Sequence, residues 1–209
     1  MATYGISTYG TAIGVSAGDI KNLALFTLGF PDEIDFTDLT NETVKKVNRV
    51  YSTTLLFVLT NYPWRFVLKR TELTDRTVST SSGKYKYNYT LPVQLLAVKG
   101  AYTDEGYTSR VKYFESSPKF LNTDATNADE SLFLWYISII DETDFPQYFI
   151  DYFKYKLALD LCFNLTGDTD LLQMLAQQEQ KQLLTAKNID AKQVQTRTIS
   201  SSPFTQIRR

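Results

Sequence analysis

Between residues 16 and 61 the apolar positions recur at steps of three and four. Ile20, Leu23, Ala24 and Leu28 fall on one face of a first predicted helix. Val44, Val47, Tyr51, Leu55 and Val58 fall on one face of a second, over 40–61, with Lys45, Lys46 and Arg49 turned away. The ends are punctuated. Ser16 and Asp19 have the spacing of a capping box, which satisfies the free amides of a helix start. Gly29 and Pro31 close the first helix, and Pro63 closes the second because the residue before a proline avoids helical dihedrals. After Pro63 the period changes from 3.6 to 2. In 84–90, Tyr85, Tyr87 and Tyr89 share one face and Lys84, Lys86 and Asn88 the other, which predicts a half-exposed antiparallel strand. Further strands are predicted at 65–73, 94–102, 107–115 and 132–140, the last mostly apolar and therefore the most buried. Gly83, Gly106, Pro118 and the polar run Asn122–Glu130 read as turns and loops.

Helical spacing returns at Pro146 and runs to Thr166, with Gly167 beyond its end. Asp168 caps a fourth, amphipathic helix over 169–187, with Leu171, Leu172, Leu175 and Leu183 opposite Gln173, Gln177, Gln180 and Lys181. The pattern then predicts an α+β chain. Both chain ends, 16–64 and 142–188, form an antiparallel helical bundle, and 65–141 is a small antiparallel β domain inserted between them. Two arms flank this body: a flexible Gly/Thr/Tyr-rich segment, 1–15, and an extended tail, 189–209. In the tail, Lys192, Arg197, Arg208 and Arg209 stand against Asp190 alone, so it is basic on a chain of net charge −1. Such a segment cannot bury enough apolar surface to order itself.

Composition narrows the chemistry. The chain has no histidine, which removes the commonest general base, the commonest zinc ligand and the centre of a Ser-His-Asp triad. Its single cysteine, Cys162, sits in a helical apolar context and reads as a buried thiol. The acidic loop Asp124–Glu130 lacks calcium-loop spacing, and neither a GxxxxGK[ST] nor a GxGxxG phosphate cradle occurs. We therefore expect no enzyme, no cofactor and no metal. No basic-then-apolar opening and no run near 18 apolar residues leads us to expect neither a secretory leader nor a membrane span.

Aromatic content points to protein contact instead. With 14 Tyr, 13 Phe and 2 Trp the chain is rich in residues that have an apolar body, and Tyr and Trp add the polar tip favoured at interfaces. In the third helix Tyr148, Phe149, Ile150, Tyr152, Phe153 and Tyr155 cover more than the stripe that ordinary packing buries. This helix is the centre of the bundle, or a second face meets another subunit through Tyr148, Tyr152 and Tyr155, and the two readings are compatible. Tyr85, Tyr87 and Tyr89 form a second candidate interface, or the platform of a carbohydrate- or ligand-binding module. In the tail, Phe204 and Ile207 are apolar anchors beside Arg208 and Arg209, a candidate partner-docking segment.

Several short elements occur in one order: Leu28-Gly29-Phe30-Pro31 after the first helix, Trp64-Arg65-Phe66 at the start of the β region, and Tyr89-Thr90-Leu91-Pro92 within it. An acidic approach, Asp141-Glu142-Thr143-Asp144-Phe145-Pro146, leads back to helix, and Gly167-Asp168 opens the last one. Over roughly 16–188 this layout resembles the tail tubular protein A family, the head-to-tail adaptors of short-tailed bacteriophages (podoviruses). The resemblance implies a structural virion protein assembled in the host cytoplasm. It implies a homo-oligomeric ring, twelve-fold in the family, between the portal protein and the tail nozzle, with double-stranded DNA passing through the lumen without sequence-specific binding. Another ring, tail-tube or nozzle protein of the same virion is the neighbouring reading.

Overall fold

A computed structural model describes residues 14–78, 85–116, 119–125 and 130–193. Among them are four helices: α1 (Ala17–Thr27), α2 (Glu42–Asn61), α3 (Gln147–Leu165) and α4 (Thr169–Lys192). Seven strands lie between α2 and α3: β1 (Leu68–Leu73), β2 (Thr77–Val78), β3 (Tyr87–Thr90), β4 (Leu95–Tyr102), β5 (Phe114–Ser116), β6 (Phe120–Thr123) and β7 (Leu132–Ser138). The expected α+β class is observed as four helices and two antiparallel sheets, ordered β1-β7-β4 and β2-β3-β6-β5.

The helix starts follow local chemistry. The Ser16 hydroxyl accepts the Asp19 N–H at 3.2 Å, and the Asp19 carboxylate accepts the Ser16 N–H at 2.8 Å. Asn41 accepts from the Thr43 N–H at 2.8 Å, and Asp168 accepts from the Asp170 and Leu171 amides at 2.9 and 3.0 Å. Gly29 and Gly167 end α1 and α3 at φ of +91° and +67°, a region that costs a side-chain-bearing residue energy.

The largest hydrophobic cluster joins all four helices, the Trp64 turn and Ile137 of β7. α3 packs against α1, α2 and α4, which bury most of its apolar circumference, while Phe163 stays 70% exposed. Trp64 is fully buried, donates its indole N–H to the Val58 carbonyl at 2.9 Å, and meets Tyr62, Phe66, Phe149 and Tyr152 ring to ring. The second cluster lies between the two sheets: Leu73, Ala101, Leu132, Leu134 and Tyr136 from one, Tyr89 and Leu121 from the other. β7 is central in its sheet. Its Leu132, Leu134 and Tyr136 face the second cluster while Ile137 reaches the first, so this strand couples both.

Four expectations are corrected. The segment 65–73 opens with a 3-10 turn at Arg65–Val67, because the buried Trp64 turns the chain before β1 begins. The segment 107–113 is a loop joined to β4 by one bridge, Tyr102 to Arg110; only Phe114–Ser116 is strand. The run from Asn122 does not start as a loop. Asn122 and Thr123 belong to β6 and are buried, with Asn122 donating to the Phe114 carbonyl and the Ser116 hydroxyl. The tail does not begin at 189, since α4 continues to Lys192. The N-terminal arm before residue 14 and the tail beyond Gln193 lie outside the described residues.

Candidate interaction surface

The tyrosines singled out in the sequence separate into different environments. Tyr152 is 3% exposed, a correction to its candidacy as an interface residue. Burial, and then Glu179, which accepts its hydroxyl and adds a negative charge, raise its phenol above the usual range. Tyr148 is half-buried and donates to Asp190 Oδ1 at 2.8 Å; burial and this bond raise its phenol likewise. Tyr155 is half-buried with Lys154 Nζ 5.5 Å from its ring centre. On β3, Tyr89 is fully buried and its hydroxyl donates to the Glu130 carbonyl at 3.1 Å, which also corrects its candidacy. Strand alternation puts Tyr89 on the side facing the partner sheet, where a large ring fills the core. Tyr87 is half-buried, with the Arg76 guanidinium 4.5 Å from its ring centre and Arg76 ion-paired to Glu130. Tyr85 lines an open depression of about 530 Å³ with Arg110, Val111, Lys112 and Tyr113. Phe204, Ile207, Arg208 and Arg209 lie outside the described residues.

Sequence reading missed Asp190. It stands in a polar, helix-ending context, yet it is 1% exposed. Besides the Tyr148 hydroxyl it accepts the Arg65 backbone N–H at 3.1 Å. A buried carboxylate requires such donors, because an unpaired one costs several kcal/mol, about the whole margin of a small domain. One side chain therefore ties the last turn of α4 to the start of α3 and to the turn that opens the β region. Beside it Lys187 Nζ lies 5.0 Å from the Tyr62 ring centre. Gln193, the last of the described residues, directly follows this junction.

A second feature invisible in sequence is an aromatic patch on the three-stranded sheet. Arg70 and Trp135 are register partners, and the exposed guanidinium lies 5.2 Å from the Trp135 ring centre and 4.6 Å from that of Tyr107. Tyr107 also meets Tyr102 and Phe133 edge to face. Its φ is +57°, uncommon for a side-chain-bearing residue. Asp104 enforces this loop by accepting the Thr108 and Ser109 amides, which hold its carboxyl down at about 2. Trp, Tyr and Arg are the residue types that dominate binding hot spots. The β1–β7 register sets Arg70 beside Trp135, and the loop after β4 brings Tyr107 to the guanidinium.

A third is a semi-buried polar hub. Lys21 Nζ donates to Asn48 Oδ1 at 2.8 Å and stands over the Phe36 and Tyr51 rings, while Tyr51 donates to Glu142 at 3.2 Å. Burial lowers the Lys21 pKa, against the opposing pull of Glu142. Cys162 is fully buried, near the Thr166 hydroxyl at 3.4 Å. Among the described residues no cluster of Asp, Glu, His and Cys is arranged to hold a metal ion, and no helix is long and apolar enough to cross a membrane. Compared with known proteins, the chain matches no protein-family model and no curated protein.

Proposed function

We propose that this chain is a non-enzymatic structural subunit of a short-tailed bacteriophage particle, a head-to-tail adaptor. In this reading twelve copies form a ring between the portal and the tail nozzle, and the genome passes through the lumen. Both chain ends make the antiparallel helical bundle, which faces the portal. The inserted β domain, with its Arg70–Tyr107–Trp135 patch, faces a neighbour or the nozzle. Residues 194–209 are the docking arm, with Phe204 and Ile207 as anchors and Arg208 and Arg209 as charges.

The observation that carries this reading is the Asp190 clamp. A docking arm needs a defined point of departure, because the ordering cost of a bound segment falls when its root is already positioned. Asp190, held by Tyr148 and the Arg65 amide, supplies such a root four residues before the arm begins.

Electron microscopy of the portal ring from the same virus, mixed with either the full chain or a chain ending at Gln193, tests both parts. The full chain is expected to add a closed tier at one end of the portal. The truncated chain is expected to fold and to add none. A tier built equally well by the truncated chain overturns the docking arm; no tier from the folded full chain overturns the adaptor.

A further inference from the structure

The two flanks of α2 are unlike. Asn48 and Tyr51 face α1, where Lys21 meets both. At about 100° per residue, Lys46 lies about 160° round the helix from Asn48, and Arg49 about 160° from Tyr51. Lys46 and Arg49 are exposed, and among the described residues neither has an ion-pair partner. Lys45 is paired to Glu42 at 2.7 Å. The same outward strip carries Leu56 and Phe57, exposed by 43% and 53%. It is a basic, partly apolar helix face bordered by α3, whose Lys156 Nζ lies 5.6 Å from the Phe57 ring centre, and otherwise open.

The α1 side is the reverse in charge. From Asn22 to Val44 there is no Lys or Arg, and the connection to α2 carries Asp32, Glu33, Asp35 and Asp38, all exposed. This connection is held firmly. The Asn22 amide accepts the Ile34 N–H at 3.0 Å and donates to the Ile34 carbonyl at 3.3 Å, and Asp35 and Asp38 each accept the amide two residues on at 2.9 Å. Phe26 and Leu39, 70% and 66% exposed, give this acidic ledge apolar ground of its own.

We propose that the outward strip of α2 is a self-association site, and that its occupant is the acidic α1–α2 connection of a second copy of this chain. Charge complementarity selects the occupant, since Lys46 and Arg49 meet a ledge whose charged groups are all carboxylates. The arrangement also selects the type of contact. An isologous pair through either patch would set like charges face to face. Two complementary patches on different flanks of one chain give a heterologous, head-to-tail contact. Closure of such contacts into a ring rests on the adaptor reading; the contact itself does not.

Two variants test it on the full chain. Lys46→Glu with Arg49→Glu reverses the strip. Asp32→Lys with Glu33→Lys takes the ledge from four negative charges to none net and leaves the Asp35 and Asp38 caps in place. Association is read by sedimentation at rising concentration and by carbodiimide crosslinking between labelled and unlabelled copies, with urea midpoints confirming that each variant is folded. The wild type is expected to associate more weakly as salt rises, with Lys46 crosslinked between copies to the ledge. Each variant alone is expected to lose at least about tenfold in association. An equimolar mixture of the two is expected to recover part of it, because the unchanged basic strip of the second variant meets the unchanged acidic ledge of the first. Wild-type-like association by either variant overturns the proposal. So does a wild type that neither associates nor crosslinks, or a strip that binds double-stranded DNA in a salt-dependent way and no second copy. The adaptor reading fails separately: the contact is present, but the portal gains no tier. A tier built equally well by the variants leaves the ring standing and removes this contact from it.

Discussion

Replacing Asp190 with alanine removes the acceptor of two donors at once. The Tyr148 hydroxyl and the Arg65 amide bond to the same oxygen, Oδ1, at 2.8 and 3.1 Å, in a site where the carboxylate is 1% exposed. Hydrogen bonds to a charged group contribute about 1.5–3 kcal/mol each, and a buried donor left unpaired costs about 1–3 kcal/mol. The gain from no longer desolvating the carboxylate offsets part of this. We expect a net loss of about 2–4 kcal/mol, or roughly 4–16 °C in melting temperature for a chain of this length. Tyr148→Phe removes one donor and leaves the carboxylate with the Arg65 amide, so it should cost about 1–2 kcal/mol. Urea unfolding of the wild type, both single variants and the double variant closes a double-mutant cycle. A coupling of about 1 kcal/mol or more between the two sites is expected. The same reasoning predicts that ending the chain at Asn188 destabilises it, whereas ending it at Gln193 does not. An Asp190→Ala chain within about 0.5 kcal/mol of wild type, or a cycle with no coupling, would refute the clamp.

The Asp104 loop should respond to acid. Its carboxyl is held at about 2, below the ordinary value near 4, so its hold on the loop is fully present above about pH 4 and is lost as pH falls through about 2. The amide resonances of Thr108 and Ser109 should shift with that midpoint and not with an ordinary carboxylate midpoint. Cys162 should not react with an aromatic disulfide reagent in the native chain. It should react at the rate of global unfolding once urea is added, because it is fully buried within the helical core. Rapid native labelling would show that α3 is less enclosed than its packing implies.

Local chemistry alone determined a good part of this protein. The caps at Ser16 and Asp168, the αL glycines at 29 and 167 and the α2 stripe depend on neighbours a few residues apart, so they are legible in one dimension. The strands β4 and β7 were legible too, because a long apolar run flanked by turns has few alternatives. The short strands were not. β2, β5 and β6 span two to four residues, and pairing across the sheet, not propensity, makes them strands. The choice between buried and exposed tyrosines was equally beyond the sequence. Tyr85, Tyr87 and Tyr89 share one alternation phase, yet only Tyr89 pairs opposite the fully buried Leu121. Likewise the breadth of the apolar surface on α3 did not say which neighbours bury it, and α1, α2 and α4 are seen to do so. The end of α4 is the clearest case. By composition, residues 189–193 belong to the tail, but the α3 start and the Trp64 turn bring two donors to Asp190, and a carboxylate that both can reach holds the last turn of the helix in place. Contacts across 42 and 125 residues decided that point, and no reading of neighbouring residues contains them.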